Sequence, residues 1–242
     1  MDPRARADDE RLPERLSTAG RALAGCGSAD RVAEALRDLV ADGALVPGTR
    51  LPEEPTSSAL GVSRNTLREA FRLLTREGLL RHELHRGVFV RSLTVADVRD
   101  VYRFRRVLEF AAVDGPHEPA GLQRVREAVD EGRAARGRGD WEAVATANTH
   151  FHSALVALAG SARMDESMRH LLAELRLAFV VVPDLRPFHE PYLEDNGRIA
   201  EHLEAGERGR AGRLLASYLD RAEAQLLAAH RTTGEQPGQT DR

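Results

Sequence analysis

The stretch that decides the fold runs from residue 47 to residue 90 and reads PGTRLPEEPTSSALGVSRNTLREAFRLLTREGLLRHELHRGVFV. At its centre Arg64, Arg68, Arg72 and Arg76 recur every four residues, so on a helix they form one basic ridge. Leu67, Ala70, Phe71 and Leu74 fall on the opposite face, and the segment can pack inward while its arginines point out. Ser63 stands where an N-cap belongs, and Gly78 where the helix should stop. From Val62 to Ser92 seven arginines stand against three glutamates, a local basic patch. Such a ridge suits the major groove of DNA, where arginine bonds a guanine edge twice and further arginines hold phosphates. Ser63 and Thr66, near the helix start, can donate to phosphate or base. The competing reading is a solvated helix whose arginines pair with Glu69 and Glu77.

Upstream, Ser28 or Asp30 caps a helix with the apolar stripe Val32, Leu36, Leu39 and Val40, ended by Asp42-Gly43 and Pro47-Gly48. A short helix follows Pro52 and runs to Leu60, with Gly61 stopping it. Downstream, two β-prone runs flank His85-Arg86-Gly87, a hairpin signal. Pro-Gly-x-x-Leu, Gly-Val-Ser-Arg, Leu-Arg-Glu-Ala, Glu-Gly-Leu-Leu and Arg-Gly-x-x-Val then stand in an order and spacing that closely resembles the winged helix-turn-helix of GntR-family bacterial regulators. The resemblance implies that Arg64, Asn65, Thr66 and Arg68 enter the groove and that Arg50 touches backbone phosphate. It also places the wing tip around Arg86 and Gly87 at the minor groove. One departure is Thr56-Ser57, preceded by Pro55, where the family usually has Leu-Ala, so the second helix is expected to be short or loosely packed.

From residue 93 to about 230 the period is helical, with helices expected near 95–113, 119–137, 140–160, 162–182, 190–205 and 207–230. Gly115-Pro116, Gly137 to Gly139, Gly160, Pro183 to Pro187 and Gly206 punctuate them. The expected fold class is mostly α: an N-terminal winged helix-turn-helix domain over 28–92 and a C-terminal all-α bundle of about six helices over 93–230. No βαβ alternation is seen, which argues against dinucleotide-binding and barrel folds. Residues 1–27 and 231–242 show no lasting period and are expected to be a mobile arm and a mobile tail.

Four of the bundle helices place polar residues on faces that should be apolar. Arg105 lies in the stripe of Val98, Val101, Leu108 and Ala112, and Asn148 and His152 lie with Trp141, Val144, Leu155 and Ala159. Asn196 shares a face with Tyr192, Ile199 and Leu203, and Tyr218 with Leu214, Leu215 and Ala222. Together they suggest a polar cavity inside the bundle, although singly each has a bland reading, such as Arg105 pairing with Glu109 one turn on. Val-Tyr-Arg-Phe-Arg-Arg-Val-Leu-Glu at 101–109 and the helix spacing beyond it look like the ligand-binding domain of the FCD branch of GntR regulators. Most of that branch holds a divalent metal with an Asp, a His four residues later, and two further His on the last two helices. Those positions fall here on Asn148, His152, Asn196 and Tyr218, of which only His152 is a good ligand, so no cofactor or tightly bound metal is expected. A shifted divalent-metal site using His150 or another His stays open as the alternative. The five polar residues are then expected to bind a small anionic or hydrogen-bonding effector, with Arg105 as its main fixed charge.

Composition limits the partners. The 242 residues carry a formal net charge of -3, and all 35 basic residues are arginine, so a nucleic-acid surface must be a local patch. The single cysteine, Cys26, cannot make an internal disulfide, which fits a reducing compartment and a cytoplasmic protein. Leu23-Ala24-Gly25-Cys26 mimics a lipoprotein box without the apolar stretch such a box needs, and the longest strongly apolar run, Leu177 to Val182, is far short of a membrane span. The expected function is a DNA-binding transcriptional repressor, not an enzyme. It would bind a near-palindromic double-stranded operator as a homodimer, under control of the effector. The alternatives are a constitutive DNA-binding dimer with a vestigial pocket, and a helical metalloenzyme prompted by His150-Phe-His152.

Overall fold

The computed structural model of the chain describes residues 3–23, 28–41, 43–179, 182 and 184–234. Its order is α1 (Pro3–Ala22), α2 (Ala29–Ala41), α3 (Glu53–Leu60), α4 (Arg64–Arg76), β1 (Leu80–Glu83), β2 (Gly87–Val90), α5 (Val95–Asp114), α6 (Pro119–Gly137), α7 (Trp141–Ala157), α8 (Ala162–Ala178), α9 (Leu185–Glu204) and α10 (Arg208–Gly234). Two compact units result, residues 1–93 with 173–180, and residues 94–172 with 181–242. The fold is therefore mostly α, a helix-turn-helix with a two-stranded wing and an all-helical domain.

Within the first unit, local chemistry sets the helix ends. Pro52 precedes α3, and Pro55 sits in its first turn, where a missing N–H costs no hydrogen bond. Gly61 closes the helix in the left-handed region at φ 66°, sending its N–H back to the last turn. Thr56 and Ser57 are buried, and Ser57 Oγ donates to the Glu54 carbonyl at 3.1 Å, so polar residues stand where the family has apolar ones. Ser63 caps α4 by accepting from Thr66 N–H at 3.1 Å. The core of the unit is Val32, Leu36 and Val40 of α2 with Leu60, Leu67, Ala70, Phe71 and Leu74. Arg37 of α2 clamps Glu77, just past α4, with two hydrogen bonds of 2.9 and 2.8 Å. The wing pairs antiparallel, Leu80 opposite Val90 and Glu83 opposite Gly87, and residues 49–51 run along the other edge of β2.

The expected arm over 1–27 is corrected in part: residues 3–22 are helical, while 24–27, Cys26 among them, lie outside the described residues. Leu12, Leu16 and Leu23 are buried at spacings of four and seven, a stripe concealed in the sequence by Pro13 and the flanking charges. α1 lies against α3 through Gly20, where a Cβ would meet the Ala59 carbonyl oxygen at 2.6 Å. Gly20→Val should therefore lift α1 from α3 at a cost of about 1–3 kcal/mol. Hydrogen exchange is expected to show faster exchange over 12–22 with α4 unchanged, and unaltered protection there would refute the contact.

In the second unit α9 begins five residues earlier than expected. Pro187 lies in its first turn, where the N–H would be unsatisfied in any case, and Asp184 accepts from the Arg186 N–H at 2.9 Å. Thr94 and Asp97 form a reciprocal capping box on α5. α10 continues to Gly234, past the expected tail boundary at 231, and residues 235–242 lie outside the described set. The core gathers Tyr102, Val144, Phe151, Leu155, Ile199, Leu215, Tyr218 and Leu219, all essentially sealed from water.

Candidate DNA interface and buried polar cluster

α4 buries Leu67, Ala70, Phe71 and Leu74 and leaves Arg64, Arg68, Arg72 and Arg76 exposed, so its basic ridge faces out. The sequence alternatives, Glu69 and Glu77, account for only part of the pairing. Arg72 pairs with Glu69 one turn back, and Glu77 holds Arg37 of α2. Two other partners come from α3, which sequence spacing did not suggest. Arg64 Nη2 donates to Glu54 Oε1 at 2.6 Å, and Arg68 donates to Glu53 Oε2 at 2.8 Å. Surface pairs of this kind contribute little to stability, so they do not keep either arginine from DNA. Asn65 is exposed beside them, Thr66 is half-buried, and the Ser63 oxygen serves the helix cap and lies 2.8 Å from Thr66 Oγ1.

The wing extends the same surface. Glu83 to Arg86 forms a turn closed by Arg86 N–H to the Glu83 carbonyl at 3.0 Å, with His85 at φ 61° and Gly87 at φ 104°. These left-handed positions keep the tip narrow. Arg81 and Arg86 sit 5.5 and 5.4 Å from the Phe89 ring centre, which steadies both guanidinium groups on the strand pair. Arg50 is exposed next to Gly87, where its Nε would be 3.7 Å from an added Cβ. Leu84, at the tip, is the most exposed large apolar side chain among the described residues.

The second unit brings its five inward polar residues into one network. Arg105 Nε donates to Glu109 Oε1 at 2.6 Å, and the other oxygen of Glu109 lies 2.8 Å from His152 Nδ1. His152 Nε2 is 3.0 Å from the Tyr218 hydroxyl, which is also 3.0 Å from Asn148 Oδ1, and Asn196 Nδ2 donates to that same Oδ1 at 2.8 Å. Arg105, Glu109, His152 and Tyr218 are almost wholly buried. Burial opposes the charge of Glu109, but Arg105 and His152 outweigh it and hold the carboxyl below its ordinary range. Burial likewise opposes the charge on Arg105, and Glu109 more than restores it. Burial, reinforced by Arg105, pushes His152 below its ordinary 6.5 against the pull of Glu109, so the imidazole is neutral.

A neutral imidazole has one N–H, and since the Glu109 carboxylate can only accept, that proton belongs on Nδ1. The Tyr218 hydroxyl then meets two acceptors with one proton. Other groups are short of partners too: Tyr102 Oη, Arg105 Nη2 and Asn196 Oδ1 are buried without a hydrogen bond. Burial pushes the Tyr102 phenol up to about 12, so it remains an O–H donor.

This cluster makes stability pH-dependent with a definite sign. Below about 6.5 the unfolded chain takes up a proton at His152 that the folded chain refuses, so stability falls as pH drops. The thermal midpoint is expected to fall between pH 7.5 and 5.5, and to fall less in His152→Gln. Equal falls in both proteins would refute a neutral buried His152.

Residues 28–90 match the family described as bacterial regulatory proteins, gntR family, and residues 100–221 match the FCD domain. The chain belongs to the GntR family, FCD branch. A GntR transcriptional regulator of known structure from Rhodococcus sp. RHA1 is 47% identical, with a TM-score of 0.77, covering 83% of this chain and 98% of that one. Escherichia coli McbR/YncC shares the fold at 21% identity and a TM-score of 0.70, covering 82% of this chain and 96% of that one. The HTH-type transcriptional regulator YdhC of Bacillus subtilis is 31% identical over 141 residues, which span 56% of this chain and 62% of that protein. The chain is thus a transcriptional regulator with a DNA-binding helix-turn-helix, and not an enzyme.

Within this FCD regulator the residues at the branch's metal positions do not fit a divalent ion. Asn148 and Asn196 are neutral and bonded to each other, Tyr218 is a protonated phenol, and His152 presents Nδ1 to Glu109. The one carboxylate in contact, Glu109, is already neutralised by Arg105. Among the described residues no group of three or more His, Cys, Asp or Glu is placed to hold a metal. His150 does not join the cluster: it is exposed and 2.8 Å from Glu131. Tyr102 was absent from the sequence candidates, and Glu109 entered the sequence reading only as the partner of Arg105 one turn on, the pairing the structure has. Tyr102 lies three residues before Arg105, so helical spacing could have placed it there as well.

Proposed function

We propose that this regulator is a repressor that binds a near-palindromic double-stranded operator as a homodimer and leaves it when a small anionic or hydrogen-bonding effector occupies the α5/α7/α9/α10 cluster. The supporting observation for the effector is the pair of buried, unpartnered donors, Arg105 Nη2 and Tyr102 Oη. Two desolvated donors call for acceptors on a ligand, a carboxylate being the strongest, while Asn196 Oδ1 calls for a donor on the same ligand. Hydroxy- and amino-substituted organic acids have both. Such a ligand needs no metal, because Arg105 Nη2 and the Tyr102 hydroxyl supply the donors, the charge of Arg105 itself being balanced by Glu109.

Arg64, Asn65, Thr66 and Arg68 are the residues for the major groove, Arg50 and Ser63 for phosphate, and Arg86 and Gly87 for the minor groove. Repression is supported by a 29% identical relative from Paenarthrobacter nicotinovorans, named "Probable D-xylose utilization operon transcriptional repressor" and aligned over 78% of this chain and 85% of that one. Dimerisation is supported by the exposed Phe104 and Val107, 47% and 65% accessible and one turn apart on α5, an apolar face suited to a second copy. A cytoplasmic place follows from the DNA target, and among the described residues no helix is long and apolar enough to cross a membrane.

The test starts from a random-sequence duplex pool, from which the full chain should select a two-fold motif. A panel of hydroxy, amino and plain carboxylic acids is then titrated into the complex with the selected duplex. At least one is expected to release DNA from the wild type and not from Arg105→Met. Release that is the same in both proteins would remove Arg105 from the site. Selection of a motif with no acid effective on either would favour the vestigial pocket.

A further inference from the structure

The arginine ridge of α4 carries an asymmetry in how its members are held. Arg64 makes one bond to Glu54, and both side chains are largely exposed. Arg68 is held along one edge: its Nε donates to Glu53 Oε2 at 2.8 Å, and its Nη2 lies 2.8 Å from the same oxygen as an ion-pair contact. A guanidinium has two usable forks, the side edge of Nε with Nη2 and the end edge of Nη1 with Nη2. Glu53 occupies the side edge. The end edge is left to a guanine, whose O6 and N7 accept two parallel N–H bonds.

We propose that Glu53 is a positioning residue for base reading: it holds the side edge of Arg68 so that the end edge is presented to a guanine, and thereby sets the regulator's preference for that base. This deepens the DNA-binding reading and rests on it. Two physical effects act in the same direction. Arginine loses rotamer freedom when fixed, and a contact that fixes it beforehand reduces what the complex must lose. Glu53 also brings negative charge to the first turn of α3, the helix that crosses the DNA backbone in this motif. There it disfavours nearby phosphate in every complex, whereas its gain is realised only where Arg68 finds a guanine.

The ionised state that this requires is secured by the pair itself. The hydrogen bond from Arg68 holds the Glu53 carboxyl below its ordinary range, and the charges of Arg68, Arg64 and His82 add to it. Glu53 and Glu54 both lie in the first turn of α3, where negative charge complements the helix dipole.

The experiment uses the full chain and the duplex motif selected above, with each position replaced in turn by the other three base pairs, and poly(dI-dC) as the non-specific probe. Arg68→Ala identifies the guanine that Arg68 reads, as the position where its discrimination disappears. Glu53→Gln is expected to lower the preference for guanine at that position by roughly 10-fold, and at no other, while tightening binding to poly(dI-dC). Glu53→Asp keeps the charge but shortens the reach, so it should lose the preference without that tightening. In Glu53→Gln/Arg68→Ala the effect of Glu53 on base preference should vanish. An unchanged preference in Glu53→Gln, or an equal loss at every position, overturns the proposal while leaving DNA binding intact. If the wild type selects no motif, the DNA reading fails and this proposal with it.

Discussion

Replacing Arg64 and Arg68 together by alanine is expected to weaken binding to a selected duplex by roughly 100-fold or more at moderate salt. Each arginine that forks onto a guanine contributes about 1–3 kcal/mol of discrimination, and both side chains stand exposed on the outer face of α4. The fold should not suffer, because their present partners, Glu54 and Glu53, form surface pairs of little net worth, and the inward residues Leu67, Ala70, Phe71 and Leu74 are untouched. Fluorescence anisotropy on wild type and variant across a salt series separates two contributions. Loss of base readings lowers affinity for the motif alone, whereas loss of a phosphate contact flattens the salt slope by about one per contact. A variant within threefold of wild type on the motif would remove α4 as the reading helix.

The second large effect belongs to the buried cluster. Glu109→Ala leaves Arg105 charged and unpaired among Tyr102, His152 and Tyr218, and breaking one side of a buried pair costs about 3–5 kcal/mol. For a domain of this size the thermal midpoint is expected to fall by roughly 10 °C. Arg105→Met/Glu109→Leu should be much milder than Glu109→Ala, because neither charge then remains to be solvated. Calorimetry of the three proteins tests this. A double variant as unstable as Glu109→Ala would mean that shape, and not the orphaned charge, sets the cost.

These expectations draw unequally on sequence and structure. The DNA-reading unit was legible because its signals are local: a four-residue arginine period, an N-cap at Ser63, a stop at Gly61 and a Gly-containing wing turn. The same holds for the six helices of the bundle, whose period and punctuation lie within each segment. α1 was missed because its leucine stripe is short and interrupted by Pro13, so its helical state depends on having α3 to lie against. α9 was started late because Pro187 reads as a breaker unless its place in a first turn is known.

For the polar cluster, helical faces named Arg105, Asn148, His152, Asn196 and Tyr218 one helix at a time. Only the packing of α5, α7, α9 and α10 could join them at 2.6–3.0 Å and add Glu109 as the acid that ties Arg105 to His152. Likewise the sequence placed the arginines of α4 on an outer face but offered Glu69 and Glu77 as their partners. The choice of Glu53 and Glu54 was made by the turn at Gly61, which lays α3 beside α4. What the sequence by itself determined was each element, its polarity and its ends, because caps, periods and turns act over a few residues. Which charges are paired, which donors are left without a partner and which edge of an arginine faces out were decided by tertiary structure, because those depend on distances between segments that the chain brings together only on folding.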